Sequence, residues 1–162
     1  MNPNELPLTF EPLTRDTLGP CCEIVATAPD PWSPASMEST MNDLNCWSFV
    51  ALHKGAPVGF VVFLVVEASA DLQQIVVCKG YRGKGVGRQL LLHAMPQLAE
   101  YGVMRILLEA RASNAPALGL YESLGFRQLA VRPGMYSHPK EDGVLMARQY
   151  NQPPPSAPVP SD

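Results

Sequence analysis

The sequence predicts an α/β (α+β) protein whose single mixed sheet, mostly antiparallel and of about six to seven strands, carries helices on both faces. Three observations predict it. Between residues 47 and 78, strand-like runs are separated by very short turns, the mark of an antiparallel meander. Residues 72–112 read strand, helix, strand, a crossover that lays two strands parallel. Two last strand-like runs, 127–136 and 141–150, flank a polar turn containing Pro139 and Lys140.

The elements follow in order. "LTFEPL" (8–13) reads as a short edge strand confined by Pro12. "TRDTLGPCCEIVATA" reads as a helix broken at Gly19 and Pro20, with Cys21, Ile24 and Val25 on one side. Ser33 before Pro34 is an N-cap and first-turn pair, which predicts a helix over 34–44. "WSFVALH" (47–53) alternates as a strand does, "KGAP" turns, and "VGFVVFLVVE" (58–67) and "ADLQQIVVC" (70–78) are the next strands.

"GVGRQLLLHAMPQLAEYG" places Val86, Leu90, Leu91, Ala94 and Leu98 at helical spacing, with Gly102 as the stop. Pro96 removes a backbone bond and costs about 3 kcal/mol unless the helix bends, so a kink is expected there. "MRILLEARA" (104–112) reads as a buried strand. "SNAPALGLYESLGF" is a short helix capped by Ser113 or Asn114, with Pro116 in its first turn and Gly125 after its end. The final "NQPPPSAPVPSD" holds five prolines and almost no apolar bulk. It predicts a disordered tail over 151–162, leaving 1–150 as one domain.

Composition narrows the function. The chain has 162 residues, 46% of them hydrophobic, enough for one core. A net charge of −3 argues against a nucleic-acid partner, which needs a basic face. The four cysteines (Cys21, Cys22, Cys46, Cys78) have no disulfide or zinc spacing and read as free thiols in a reducing compartment. "MNPNELPLTFEPL" has no signal-peptide core, and "GFVVFLVV" is far too short to cross a bilayer. A soluble, cytoplasmic, monomeric protein with no membrane partner is expected. His53, His93 and His138 fall near no metal-ligand pattern, and neither HExxH nor GxSxG occurs, so no metal and no serine triad are assigned.

"GYRGKGVG" (80–87) carries the chemistry. It follows a strand and opens a helix, whose first amides are unpaired and whose dipole favours an anion. Glycines let successive N–H groups turn inward and a ligand come close. Arg82, Lys84 and Arg88 surround the loop with positive charge. No Ser or Thr follows Lys84, which excludes a P-loop, and the glycine spacing does not match GxGxxG. A diphosphate is the natural guest.

The pattern Arg82-x-x-Gly85-x-Gly87, after "LQQIVV" and before an amphipathic helix, resembles the acetyl-CoA loop of the GNAT N-acetyltransferases. "LLEARASNAPALGLYESLGFRQLAVRPGMY" resembles the RimI-type ribosomal-protein-alanine N-acetyltransferases, with "RASN", "LYESLGF", and a closing "ED" and "MA" in that family's order, and "DPWSP" matches the subfamily's "PWS" loop. The resemblance covers residues 8–148. It implies a GNAT fold whose sheet splays in the middle between the strands at 72–77 and 104–111.

It further implies acetyl-CoA as cosubstrate, with the pantetheine arm on the backbone of Ile75, Val76 and Val77, and the diphosphate on Arg82, Gly83, Lys84, Gly85, Val86, Gly87 and Arg88. Asn114 and Tyr121 would also touch the cofactor. Glu109 of "LLEARA" is implied as the base and Tyr121 as the acid, with direct transfer and no use of Cys78. A strand N–H near Val77 would stabilise the developing oxyanion. Trp32, Ser33 and Tyr136 would shape the entrance for an acceptor, by resemblance the N-terminal alanine of a small-subunit ribosomal protein. Met135 departs from the tyrosine common in these relatives, and Glu141 and Asp142 could attract a basic peptide. A lysine side chain or small-molecule amine as acceptor, and a CoA-binding sensor without turnover, are the alternatives.

Overall fold

A computed structural model of the chain describes residues 5–150. The predicted Pro-rich tail, 151–162, lies outside the described residues. Seven strands form one sheet: β1 (Thr9–Glu11), β2 (Cys46–His53), β3 (Ala56–Val66), β4 (Ser69–Val77), β5 (Arg105–Arg111), β6 (Arg127–Ser137) and β7 (Lys140–Gln149). Their order is β1-β2-β3-β4-β5-β7-β6, and only β4 and β5 pair parallel. Four helices cover it: α1 (Arg15–Val25), α2 (Pro34–Asn42), α3 (Val86–Tyr101) and α4 (Ala115–Ser123).

The apolar patterning explains the layers. Along β3, Val61, Phe63 and Val65 face one core while Phe60 and Val62 face another. A strand buried on both faces reads as a continuous apolar run, as "GFVVFLVV" does. One core packs α3 and α4 through Leu90, Leu91, Ala94, Leu98 and Tyr121. The other packs α1 and α2 through Cys21, Ile24, Val25 and Met37.

Two expectations are corrected. The first helix is not broken at Gly19 and Pro20: α1 runs through both. Pro20 and Asp16, whose carbonyl loses its helical donor, are both exposed, so water can satisfy that oxygen. Burial of Thr17, Cys21, Ile24 and Val25 holds the opposite side. The helix read through Pro96 is present as α3, and Pro96 lies with Leu92 on its exposed face. The second correction concerns β5, which is not buried throughout. Ile106, Leu108 and Ala110 are buried, while Arg105 and Glu109 stand on the opposite face.

One glycine sets the placement of α3. A Cβ on Gly59 of β3 would lie 2.8 Å from Val86 Cγ1 and 3.1 Å from Leu90 Cδ1. The missing side chain lets the first turn of α3 rest on the sheet, which fixes the height of the loop before it.

Candidate active site

The sheet opens between its two parallel strands. β4 and β5 pair only at Ser69–Arg105, Ala70–Ile106 and Asp71–Leu107. Beyond that point β4 continues to Val77 and β5 to Arg111 without a ladder between them. Each turns instead to its outer neighbour, β3 or β7, leaving a V-shaped cleft.

The ladder parity shows which backbone groups line the V. Cys78 N–H donates to Val58 O at 2.8 Å, with Val77 opposite Gly59. Alternation therefore turns the main-chain groups of Val76 toward β3 and those of Ile75 and Val77 into the cleft. This corrects the expectation that Val76 offers backbone bonds to a ligand: it lines the cleft, but its amide serves the sheet. On the other wall, Ala112 N–H donates to Asp142 O at 3.0 Å, with Arg111 opposite Gly143. The same alternation sends the main-chain groups of Glu109 and Arg111 into the cleft.

The glycine loop closes the wide end. Lys79–Tyr81 form a short 3-10 turn, and Gly83 and Gly85 have φ of 75° and 82°, the left-handed region that favours glycine. Gly85 caps α3, whose first intrahelical bond is Gln89 N–H to Gly85 O. The amides of Val86, Gly87 and Arg88 are thus left facing forward. The loop's cations are less free than the sequence suggests. Arg82 donates from Nε to Val77 O at 3.0 Å and from Nη2 to Thr27 Oγ1 at 3.1 Å. Arg88 Nη1 donates to Ser123 Oγ at 3.0 Å, while Lys84 lies 5.8 Å from the centroid of the Tyr81 ring.

The segment between α1 and α2 straps the cleft from above. Arg82 holds it at Thr27, and Gln74 Nε2 of β4 donates to Asp30 O at 3.2 Å. Arg111 of β5 pairs with the Asp30 carboxylate at 3.0 Å.

Two spaces meet beneath this strap. The first is the V itself, lined by Ile75, Val76, Val77, Arg82, Asn114 and Tyr121. The second opens beside it, lined by Trp32, Asp71, Arg132 and Met135. Asp30, Glu109 and Tyr136 line both, so Glu109 stands where they join. Its carboxylate lies 3.5 Å from Arg132 Nε, with the side chain about a third exposed (31%). Tyr121 is buried at 5% exposure and comes from α4, on the opposite face of the sheet from Glu109. Burial, helped by Tyr136, pushes its phenol up to about 12, so the phenol stays protonated at neutral pH.

The predicted residues fall into place unequally. Asn114 both caps α4, accepting from Ala117 N–H at 3.3 Å, and lines the V. Trp32 and Tyr136 line the second space. Ser33 lines neither: its Oγ accepts from Ser36 N–H at 3.1 Å and caps α2. Glu141 is corrected too. It is bonded to Arg111 and to Ser113 inside the fold and is not a free lure for basic peptides. Those bonds, Ser113 foremost, hold its carboxyl below the usual range despite some desolvation. Asp30, Gln74, Arg111 and Arg132 were missed. Arg111 stands in the quoted "RASN" and Asp30 in "DPWSP", but their partnership joins segments 81 positions apart.

The histidines sit elsewhere. His93 stacks on Phe10 at 4.3 Å, and His53 meets Tyr81 edge-on at 5.6 Å. Among the described residues, no group of three or more His, Cys, Asp or Glu is gathered as a metal site. No described helix is long and apolar enough to cross a membrane.

A sheet split between parallel strands, with a glycine loop and forward helix amides at its open end, has the architecture of a coenzyme-A-dependent acyltransferase. The model of the Acetyltransferase (GNAT) family matches residues 16–126, and the chain belongs to that family. It is similar to the [Ribosomal protein bS18]-alanine N-acetyltransferase of Escherichia coli K12, 37% identical over 119 residues that cover 72% of this chain and 80% of that protein. It is also similar to N-alpha-acetyltransferase RimI of Mycobacterium tuberculosis, 30% identical over 154 residues, 91% of this chain and 96% of that one. The crystal structure of the Escherichia coli ribosomal-protein-S18-alanine N-acetyltransferase superposes with a TM-score of 0.84 at 31% identity, covering 94% of this chain and all of that one.

The protein is an acetyl-CoA-dependent N-acetyltransferase. Its geometry fits that cosubstrate. The backbone edges in the V can receive an extended amide-bearing arm, and the forward amides of α3 can receive a diphosphate. A Cβ at Gly83 or Gly85 would meet nothing within 4 Å, so the cradle is open.

Proposed function

We propose that this enzyme acetylates a protein α-amine, the N-terminal alanine of a small-subunit ribosomal protein, with Glu109 as base and Tyr121 as acid. The single observation that carries the mechanism is the position of Glu109, on the wall shared by the V and the second space. The relatives named for bS18-alanine acetylation carry the choice of acceptor. The V takes acetyl-CoA, which supplies the thioester, and the second space takes the peptide N-terminus.

An ammonium has no lone pair, so the acceptor must first lose a proton. An α-amine has a pKa near 8, and Glu109, in contact with solvent, takes that proton directly or through one water. The amine nitrogen then bonds to the acetyl carbon as the carbon–sulfur bond breaks. The Val77 N–H, turned into the cleft, stabilises the charge that develops on the acetyl oxygen. Tyr121, kept protonated by burial, donates its proton to the departing thiolate, and the second proton shed by the acylated nitrogen returns to the phenol through water. Ile75, Val77, the 82–88 loop and Asn114 hold the cosubstrate, and Trp32 and Tyr136 bound the acceptor. The enzyme works as a monomer in the cytoplasm, where ribosomal proteins are made.

Mass spectrometry of a peptide bearing an N-terminal alanine and an internal lysine tests the acceptor. After incubation with acetyl-CoA, acetyl is expected on the α-amine alone. Acetyl only on the lysine overturns this proposal and favours an ε-amine enzyme.

A further inference from the structure

We propose that Arg111 is the positioning residue that assembles the acceptor site, holding its two walls together from the rim of β5. The proposal rests on the peptide-acceptor function above and deepens it. One wall of the acceptor space is the strap carrying Asp30 and Trp32; the other is the β6–β7 hairpin carrying Met135 and Tyr136. Neither wall belongs to the rigid centre of the sheet. The strap is a loop, and the β6–β7 register is interrupted between Arg132 and Tyr136.

Arg111 ties both. Its Nε donates to Asp30 Oδ2 at 3.2 Å and its Nη2 to Asp30 Oδ1 at 3.0 Å, a two-toothed grip on the strap. On the other side, Nη1 donates to Pro139 O at 2.9 Å and to Glu141 Oε1 at 3.2 Å, and Nη2 donates to His138 O at 3.2 Å. Every one of the five guanidinium donors is used. The guanidinium also lies 4.3 Å from the centroid of the Tyr136 ring, fixing the aromatic that lines both spaces. Its side chain is 10% exposed, so these bonds are largely shielded from solvent.

Chemistry makes the residue type specific. Lysine carries the same charge but only three donors on one atom and cannot reach two walls in a planar fork. Arg111→Lys therefore preserves charge and removes the brace. The brace borders the V as well, through Arg111, Asp30 and Tyr136, but its bonds run to the strap and the hairpin and none to the forward amides of α3 or the Ile75 and Val77 edges.

The test compares wild type, Arg111→Lys and Asp30→Asn with the N-terminal-alanine peptide, and measures acetyl-CoA affinity by calorimetry. In Arg111→Lys the peptide KM is expected to rise about tenfold or more, because misplaced walls lose orientation. The acetyl-CoA Kd rises by much less than the peptide KM, because the bonds lost hold the acceptor walls and not the cradle amides, a split that a general loss of structure does not give. Asp30→Asn, on an exposed loop that keeps the fold, shows the same split in smaller measure and carries the test should Arg111→Lys not fold. An unchanged peptide KM in folded variants, or an equal rise in acetyl-CoA Kd, overturns the proposal. Wild type that binds acetyl-CoA yet leaves the peptide unmodified overturns the peptide-acceptor function and this inference with it.

Discussion

The Glu109 carboxylate and the Arg132 guanidinium face each other at 3.5 Å beside the junction of the V and the second space. Both side chains keep solvent contact, 31% and 58% exposed, so their attraction adds little to stability. What the pair does is geometric: it aims a carboxylate at the junction of two spaces.

Replacing that carboxylate isolates its chemistry. Glu109→Gln keeps the shape and loses the basicity. We expect kcat to fall about a hundredfold or more, the usual scale for a general base. Acetyl-CoA affinity should stay near wild type, because the cradle amides and the Ile75 and Val77 edges are untouched. Steady-state kinetics with calorimetry checks both, and a parallel loss of cofactor binding contradicts the base assignment.

Tyr121→Phe removes one hydroxyl from a packed ring. The ring is buried, so a folded, cooperatively melting variant is expected with kcat lower by about tenfold to a thousandfold. The phenols of Tyr121 and Tyr150 are both pushed up to about 12, by burial foremost. Below pH 10 both are protonated in the folded and unfolded chains alike. Between about pH 10 and 12 the unfolded chain loses these protons first, so folded stability falls as pH rises through that window. Denaturant titrations across the window should show the decline, and it should be smaller in Tyr121→Phe. A flat profile contradicts the shift.

Gly59→Val tests the contact that seats the cradle. The added carbons would meet Val86 and Leu90 at the start of α3. Overpacking of this kind costs about 1–3 kcal/mol. Lifting the first turn of α3 also moves the forward amides, so acetyl-CoA affinity should drop along with stability. Urea unfolding and calorimetry report the two effects, and full cofactor affinity in a destabilised variant would separate them.

Ser33→Ala distinguishes a cap from a substrate contact. Loss of the bond to Ser36 N–H should cost about 1 kcal/mol. The peptide KM should not change, because Ser33 lines neither space. A raised KM at unchanged stability would restore Ser33 to the acceptor site.

Much of this was legible in the chain. Period-two and helical patterns placed all seven strands and four helices to within a few residues, because each pattern records which faces are buried. The glycine cradle was legible because positive φ and close approach demand glycine at Gly83 and Gly85. Local rules misjudged Pro20, where exposure of Asp16 lets water replace a lost helical bond.

Strand and helix order and the glycine loop ahead of α3 could be read from the chain, and its resemblance singled out Glu109, Tyr121 and Asn114 for the roles proposed. The folded chain was needed to see that Val76 turns its amide to β3, that Arg82 and Glu141 are spent on internal bonds, and that Arg111 joins Asp30 to the hairpin. The difference is one of range. Backbone preference and amphipathic period act between near neighbours, whereas a guanidinium finds its acceptors only after folding has brought distant segments together.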